Sequence, residues 1–211
     1  TPRLPGPATL RRLAMDEDGA AYTLSYVMVI PVYALLICLI IESVLMLTAK
    51  LGTEYSAFAA ARTASVWSSA TTWEQTMEMA KAAATKSMTP FASGTHGGLI
   101  KAASVDALAY VAAYHVFAKK TISDKYVLSQ FGYAKSHVKV EIKGPPEHWD
   151  SEITAKVTYE FPFNIPGIGR ILGKRGIDGI YYYPISSEAT LQNEGPQDDR
   201  KTIGIGYGTL K

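Results

Sequence analysis

The first hydrophobic segment of the chain is long and uncharged. No Asp, Glu, Lys or Arg occurs from Gly19 to Ile41. The apolar run Tyr22–Ile41 has the length of about 20 residues that a helix needs to cross a hydrocarbon core of roughly 30 Å. Backbone groups in lipid must bond within the segment, so we expect a helix in which Pro31 removes one hydrogen bond. The pattern predicts a transmembrane helix over 20–42.

Two alternatives to a membrane anchor fit part of this pattern. A core helix of a soluble protein is also apolar, but it is usually shorter and flanked differently. A cleaved secretory signal has an apolar region of about 7–15 residues that ends at a small-residue site. Here the run is longer, and it continues through Glu42 into the apolar stretch 43–49 without a turn signal. An uncleaved anchor therefore fits better.

Beyond the span, hydrophobic positions continue with a helical period. Large apolar side chains recur at steps of three and four residues, at Val44, Leu47, Leu51, Tyr55 and Phe58. Alanines between 57 and 64 add strong helix formers, whose small side chains let another helix approach closely. We expect one helix to run from the span to about 66–69, some 45 residues or roughly 70 Å in length.

Three shorter helices are expected next. The capping box Thr71-x-x-Glu74 predicts a helix over 72–87. Ser104 or Asp106 can cap a third helix over 105–119. A short fourth helix is expected over 123–134. These helices would give the extracytoplasmic part its helical layer.

From His137 onward the hydrophobic period changes to two. Apolar and polar residues alternate over 138–143 and again over 152–161, and a third strand is expected over 180–192. Such alternation is typical of a small antiparallel sheet that has one wet face and helices on its apolar face. The predicted fold class is therefore α+β.

The distribution of basic residues orients the span. Arginines precede it at positions 3, 11 and 12, whereas the nearest basic residues after it are Lys50 and Arg62. Positive charge favours the cytoplasmic side. We expect an irregular cytoplasmic tail over 1–19, an extracytoplasmic domain over 43–194 and a C-terminal tail over 195–211.

Two polar residues interrupt the apolar helix. Ser25 is tolerated because a helical serine bonds back to a backbone carbonyl. Glu42 is costly at bilayer depth, where a carboxylate often marks a functional pair. Because twenty apolar residues precede Glu42, we expect it at the outer interface, where water reaches it. A paired carboxylate is the alternative.

Composition and motifs offer little chemistry. A net charge of +2 gives no general attraction to nucleic acid, and a single cysteine excludes a disulfide framework and a cysteine-based zinc site. The segment Gly167–Lys174 matches neither phosphate-binding pattern, so we expect a loop and a short helix there. We expect His137 and His148 in solvent and His115 at the edge of the core. The Tyr181–Tyr183 run is either a contact surface or sheet packing.

No catalytic residue, cofactor, metal or small-molecule substrate is predicted from these patterns. The sequence contains no Gly-x-Ser-x-Gly elbow and no His-Glu-x-x-His pair. A membrane-anchored enzyme is therefore a remote alternative.

The segment from Asp18 to Trp67 resembles a known family. Gly19-Ala20, Tyr26, Pro31, Glu42 and Ala59-Ala60-Ala61-Arg62 follow the order seen at the start of TadE-like pseudopilins of tight-adherence pilus systems. The later strands look like that family's C-terminal sheet, so the resemblance covers most of 18–194.

This resemblance implies a pilin-like fold and a structural, non-enzymatic role in a pilus or secretion assembly of the bacterial inner membrane. The implied partners are the lipid bilayer and other membrane subunits or copies of the same chain, without nucleic acid. The residues to which it assigns helix packing or interaction are Gly19, Ser25, Tyr26, Pro31, Glu42, Ala60 and Arg62.

One departure from the family pattern leaves a second hypothesis open. The family's packing glutamate is replaced by Ser25, which cannot form an ion pair with the amine of a neighbouring subunit. The family also implies cleavage by prepilin peptidase after Gly19, yet residues 1–18 precede that site here. Both points favour, as the alternative, an uncleaved accessory subunit of a larger membrane complex, anchored by its single span.

Overall fold

The structure is a computed structural model that describes residues 17–94, 105–118, 123–144, 151–165, 167–176 and 178–193. Most of the expected cytoplasmic tail, the whole C-terminal tail, Ser104 and His148 lie outside these residues. The elements are α1 (Glu17–Trp67), α2 (Trp73–Met88), a 3-10 turn (Thr89–Phe91), α3 (Val105–Ala118), α4 (Asp124–His137), β1 (Val138–Lys143), β2 (Glu152–Pro162), α5 (Ile168–Leu172), β3 (Lys174–Arg175) and β4 (Tyr181–Gln192).

The chain divides into two compact units, the first ending at Ser43 and the second starting at Val44. In the first unit, α1 is long and apolar enough to cross a membrane, and it is the only such helix among the described residues. None of its apolar window is buried inside the protein. A core helix would be buried, so that alternative is wrong. The helix is unbroken through Pro31.

The second unit contains a four-stranded antiparallel sheet in the order β1-β2-β4-β3. Its central strand β2 alternates as the sequence predicts. Ile153, Ala155, Val157, Tyr159 and Phe161 are buried, whereas the residues between them are exposed or half-buried. One face of the sheet therefore belongs to the core, and the α+β class is confirmed.

The small-residue face of α1 packs within the second unit. Ala57, Ala60, Ala61 and Ala64 are fully buried. The approach is close, because a Cβ atom at Gly52 would lie 2.6 Å from the Cβ of Phe91. The alanines that the sequence suggested for helix packing are thus used inside this unit.

Polar contacts fix the direction of β4 relative to α1. Lys50 donates to the carbonyl of Ser186 at 2.6 Å and to the hydroxyl of Ser187 at 2.9 Å. The hydroxyl of Thr53 lies 2.9 Å from that of Ser187. Further along, the hydroxyl of Ser68 donates to Asn193 at 3.1 Å. Within the second unit, α1 and β4 therefore run in the same direction.

The start of α2 differs from the prediction by one residue. Thr72, and not Thr71, is the N-cap, and its hydroxyl accepts a hydrogen bond from the backbone N–H of Gln75 at 3.4 Å. Thr71 is already engaged, because its hydroxyl donates to the carbonyl of Trp67 at 3.1 Å. The motif is thus Thr72-x-x-Gln75, which satisfies the same pattern.

The fourth helix is longer than predicted, and one strand was missed. α4 continues to His137, whose ring stacks on that of Tyr133 at 3.9 Å and 6°. Residues four apart are neighbours on a helix, so this stack extends the last turn. The expected loop and short helix after Gly167 are confirmed as α5. The two residues of β3 are too few to show any alternation.

The tight packing of α1 gives a stability prediction. Ala60→Leu adds volume where nothing is exposed, so we expect the free energy of unfolding to fall by about 1–3 kcal/mol. Arg62→Leu places a leucine on the exposed side of the helix and should change the free energy of unfolding by less than about 0.5 kcal/mol. Thermal unfolding of the detergent-solubilised chain, followed by circular dichroism, measures both. Equal losses for the two variants would contradict the burial described here.

Candidate interaction surface and polar cleft

The large apolar side chains of α1 beyond Ser43 lie on the surface. Val44, Leu47, Leu51, Tyr55 and Phe58, here called the α1 stripe, are between 45% and 65% exposed. Their three- and four-residue spacing places them on one face of the helix, away from the buried alanines. Contiguous exposed apolar surface of this kind marks sites of interaction with protein or membrane.

The stripe has substantial energy to contribute. Full burial of a side chain of this size is worth about 1.5–3 kcal/mol relative to leaving it exposed. Phe58 and Tyr55 also have rings, which contribute large contact areas at interfaces. A partner that covered the whole stripe would therefore gain several kcal/mol, from which the cost of association is subtracted.

The predicted interaction residues of the first unit lie along the apolar part of α1. Gly19 lies within the helix. Ser25, Tyr26 and Pro31 are exposed. Their exposure leaves them accessible to lipid or to another helix, as the sequence-based assignment requires.

The remaining predicted residues differ in environment. Glu42 is 1% exposed, so the expectation that water reaches this carboxylate is wrong. Ala60 is fully buried in the second unit and is not available to another chain. Arg62 is exposed and follows Phe58 by four residues, which places it on the same face as the α1 stripe.

A polar cleft of about 640 Å³ lies where α4, β3 and the start of β4 meet. Basic and acidic side chains both occur in its lining. The lining residues are His137, Glu160, Lys174, Arg175, Gly176, Asp178, Tyr182 and Pro184. No sequence motif predicted this cleft, because its residues come from four separate segments. Tyr182, from the tyrosine run that was expected to form a contact surface or to pack in the sheet, is paired in the sheet and also lines the cleft.

The acidic groups of the cleft are engaged. Asp178 accepts a short hydrogen bond from the hydroxyl of Tyr182 and another, at 3.2 Å, from the N–H of Ile180. The bond from Tyr182 lowers the pKa of Asp178 below its ordinary value. Burial, followed by this same bond, raises the pKa of Tyr182. Glu160 pairs with Lys139 at 2.6 Å, and this contact raises the pKa of the lysine.

The histidines differ in part from expectation. His137 is half-buried between tyrosines, 3.9 Å from the ring of Tyr133 and 5.5 Å from that of Tyr182, so it is less solvated than predicted. His115 lies at the edge of the core, as predicted, and contacts Asp124 at 2.5 Å. Within the described ranges, no group of three or more His, Cys, Asp or Glu residues is placed to hold a metal ion.

No protein-family model, curated protein or solved structure matches the chain. The resemblance to TadE-like pseudopilins therefore stays a prediction.

The bond between Tyr182 and Asp178 gives a prediction about pH. Tyr182→Phe removes the hydroxyl that donates to the carboxylate, so the pKa of Asp178 should rise toward its ordinary value. Tyr183→Phe, one residue away, is the matched control and should leave that pKa unchanged. A ¹³C NMR titration of the Asp178 carboxyl group measures both.

The sign of the accompanying stability effect follows from the lowered pKa. The bond stabilises the folded protein above the ordinary pKa of an aspartate, and this contribution is lost as the pH falls through the lowered pKa of the folded state. The difference in stability between wild type and Tyr182→Phe should therefore shrink on acidification. A difference that grew at low pH would contradict the assignment.

Proposed function

We propose that this chain is a non-enzymatic, single-span membrane protein that assembles with other subunits through the α1 stripe. The proposed family is the TadE-like pseudopilins of pilus or secretion machines. The proposed location is the bacterial inner membrane, with the N-terminus in the cytoplasm and the second unit on the extracytoplasmic side. The apolar, unburied window of α1 supports the membrane anchor.

One observation carries the proposal of assembly: the stripe extends further than lipid can cover. Ile41 ends the apolar run, and at about 1.5 Å per residue Leu51 lies roughly 15 Å beyond it along the helix. The headgroup layer accounts for only about 5–8 Å of this distance. Tyr55 and Phe58 lie further still, and both are exposed. A protein partner is the cover that these side chains require.

Two kinds of partner are compatible with this geometry. The resemblance to pseudopilins favours copies of the same chain, packed helix against helix. Ser25, in place of the family's glutamate, favours an accessory subunit that binds different proteins at a fixed ratio. Both use the same stripe, so one experiment distinguishes them.

The experiment places a photo-crosslinking amino acid at Leu51 in the full chain, in native membranes. We expect an adduct whose mass equals two copies of the chain. The matched control is the same amino acid at Lys81, which is exposed on α2 away from the stripe. Its yield should stay near background, because α2 carries no comparable apolar face at that position.

Other outcomes have defined meanings. A single adduct of different, constant mass would replace the pseudopilin hypothesis with the accessory subunit. Equal yields at Leu51 and Lys81 would contradict assembly through the stripe in either form. Leu51→Glu should abolish the specific adduct formed from a crosslinker at Tyr55, because the charge would be buried in the contact.

A further inference from the structure

Contacts inside the second unit identify the end from which α1 leaves toward the apolar run. α1 and β4 run in the same direction, with Lys50 level with Ser186. Going back from this contact, Val44 lies about 9 Å along the helix, and Tyr181 lies about 17 Å along the strand. The start of β4 is therefore at the same end of the unit as Val44.

A cavity gives the same result independently. It has a volume of about 360 Å³, and its walls include Leu45 and Thr48 of α1 together with Phe161 and Asn164 at the end of β2. Since Phe161 pairs with Tyr183, the end of β2 and the start of β4 lie at the same end of the sheet. The first turns of α1 in this unit thus lie beside that end.

The short segment α5–β3 is attached to this same end of the sheet. β3 pairs with the first residues of β4, Lys174 with Tyr182 and Arg175 with Tyr181. α5 packs closely, since a Cβ atom at Gly169 would lie 2.7 Å from the Cβ of Tyr181. Residues Arg170–Arg175, here called the basal segment, are therefore held at the end of the unit where α1 enters.

The basal segment combines exposed apolar and basic side chains. Ile171 is 72% and Leu172 48% exposed, although both are aliphatic. Arg170, Lys174 and Arg175 are also exposed. Among the described residues, none of these three cations forms an ion pair, while the acidic groups nearby, Asp178 and Glu160, are engaged by Tyr182 and Lys139.

This combination matches the chemistry of an anionic lipid surface. Basic side chains are attracted to anionic headgroups, and aliphatic side chains insert at the boundary between headgroups and acyl chains. Tyrosine, present here in the 41% exposed Tyr183, is enriched at the same level of the bilayer. The basal segment, held at the end of the second unit from which α1 leaves, therefore has the side chains that a contact with headgroups requires.

We propose that the basal segment is a second membrane contact of this protein, which binds anionic phospholipid headgroups through Arg170, Lys174 and Arg175 and inserts Ile171 and Leu172. This inference rests on the proposed membrane span of α1. It adds a recognition of lipid charge that a transmembrane helix alone does not provide.

The test uses the full chain with Cys38→Ala, labelled at one introduced cysteine with a fluorophore and reconstituted in phosphatidylcholine bilayers with or without phosphatidylglycerol. Lipids with a nitroxide in the headgroup quench labels near the surface. We expect quenching at Ile171→Cys to be roughly threefold stronger than at Thr190→Cys, which lies about 30 Å further along β4. We also expect it to be stronger with phosphatidylglycerol and to weaken with salt.

Charge variants separate the proposed contact from simple proximity. Replacing Arg170, Lys174 and Arg175 by Gln should reduce quenching at Ile171→Cys in phosphatidylglycerol bilayers to the level of pure phosphatidylcholine. The matched control replaces by Gln three exposed lysines outside the basal segment: Lys81, Lys143 and Lys156. This control should leave the quenching at Ile171→Cys unchanged. Circular dichroism checks that both triple variants are folded.

A label at Leu36→Cys keeps the two hypotheses apart. Lipids with a nitroxide deep in the acyl chain should quench it if α1 spans the bilayer. Quenching at position 36 together with equal, weak quenching at 171 and 190 would overturn the lipid contact alone. Absence of quenching at 36 would overturn the span and, with it, this inference. Quenching at 171 that ignores phosphatidylglycerol, salt and the charge variants would overturn the recognition of anionic lipid.

Discussion

The packing of the small-residue face of α1 within the second unit is the constraint on which the other features depend. Alanine and glycine allow the close approach at which Gly52 meets Phe91 and Lys50 reaches β4. Because this face is occupied by small residues, the large apolar side chains of the same helix are left on the outside. The exposed stripe and the direction of β4 are both consequences of this one packing.

Much of the fold follows from local patterns in the sequence. Helical period, strand alternation and turn residues predicted α1, α2, β1, β2 and β4 within a few residues, because each depends on interactions between near neighbours. The sequence could not show which face of α1 is buried, since alanine and leucine are both apolar. It also could not show that the carboxylate of Glu42 is buried.

The candidate sites, like the fold, were predicted by local patterns only in part. The α1 stripe was visible as a spacing, but its exposure required the fold. The polar cleft was invisible, because His137, Glu160 and Asp178 meet only when α4, β2 and the turn before β4 are assembled. Even the N-cap of α2 was displaced by one residue, since Thr71 had already been engaged by the end of α1. Tertiary contacts, and not residue preferences, decided these positions.

The position of Lys50 has a further consequence for the open edge of the sheet. β3 pairs only with Tyr181 and Tyr182, so in the described part of the chain the rest of β4 has no strand on that side. Unpaired strand edges are templates for the addition of foreign strands and for aggregation. Lys50 donates to the carbonyl of Ser186, so α1 occupies one acceptor of β4. At the opposite edge, β1 carries Lys139, Glu141 and Lys143, charges that discourage strand addition. Docking of α1 therefore removes a hydrogen-bond acceptor from an edge that would otherwise be open to strand addition.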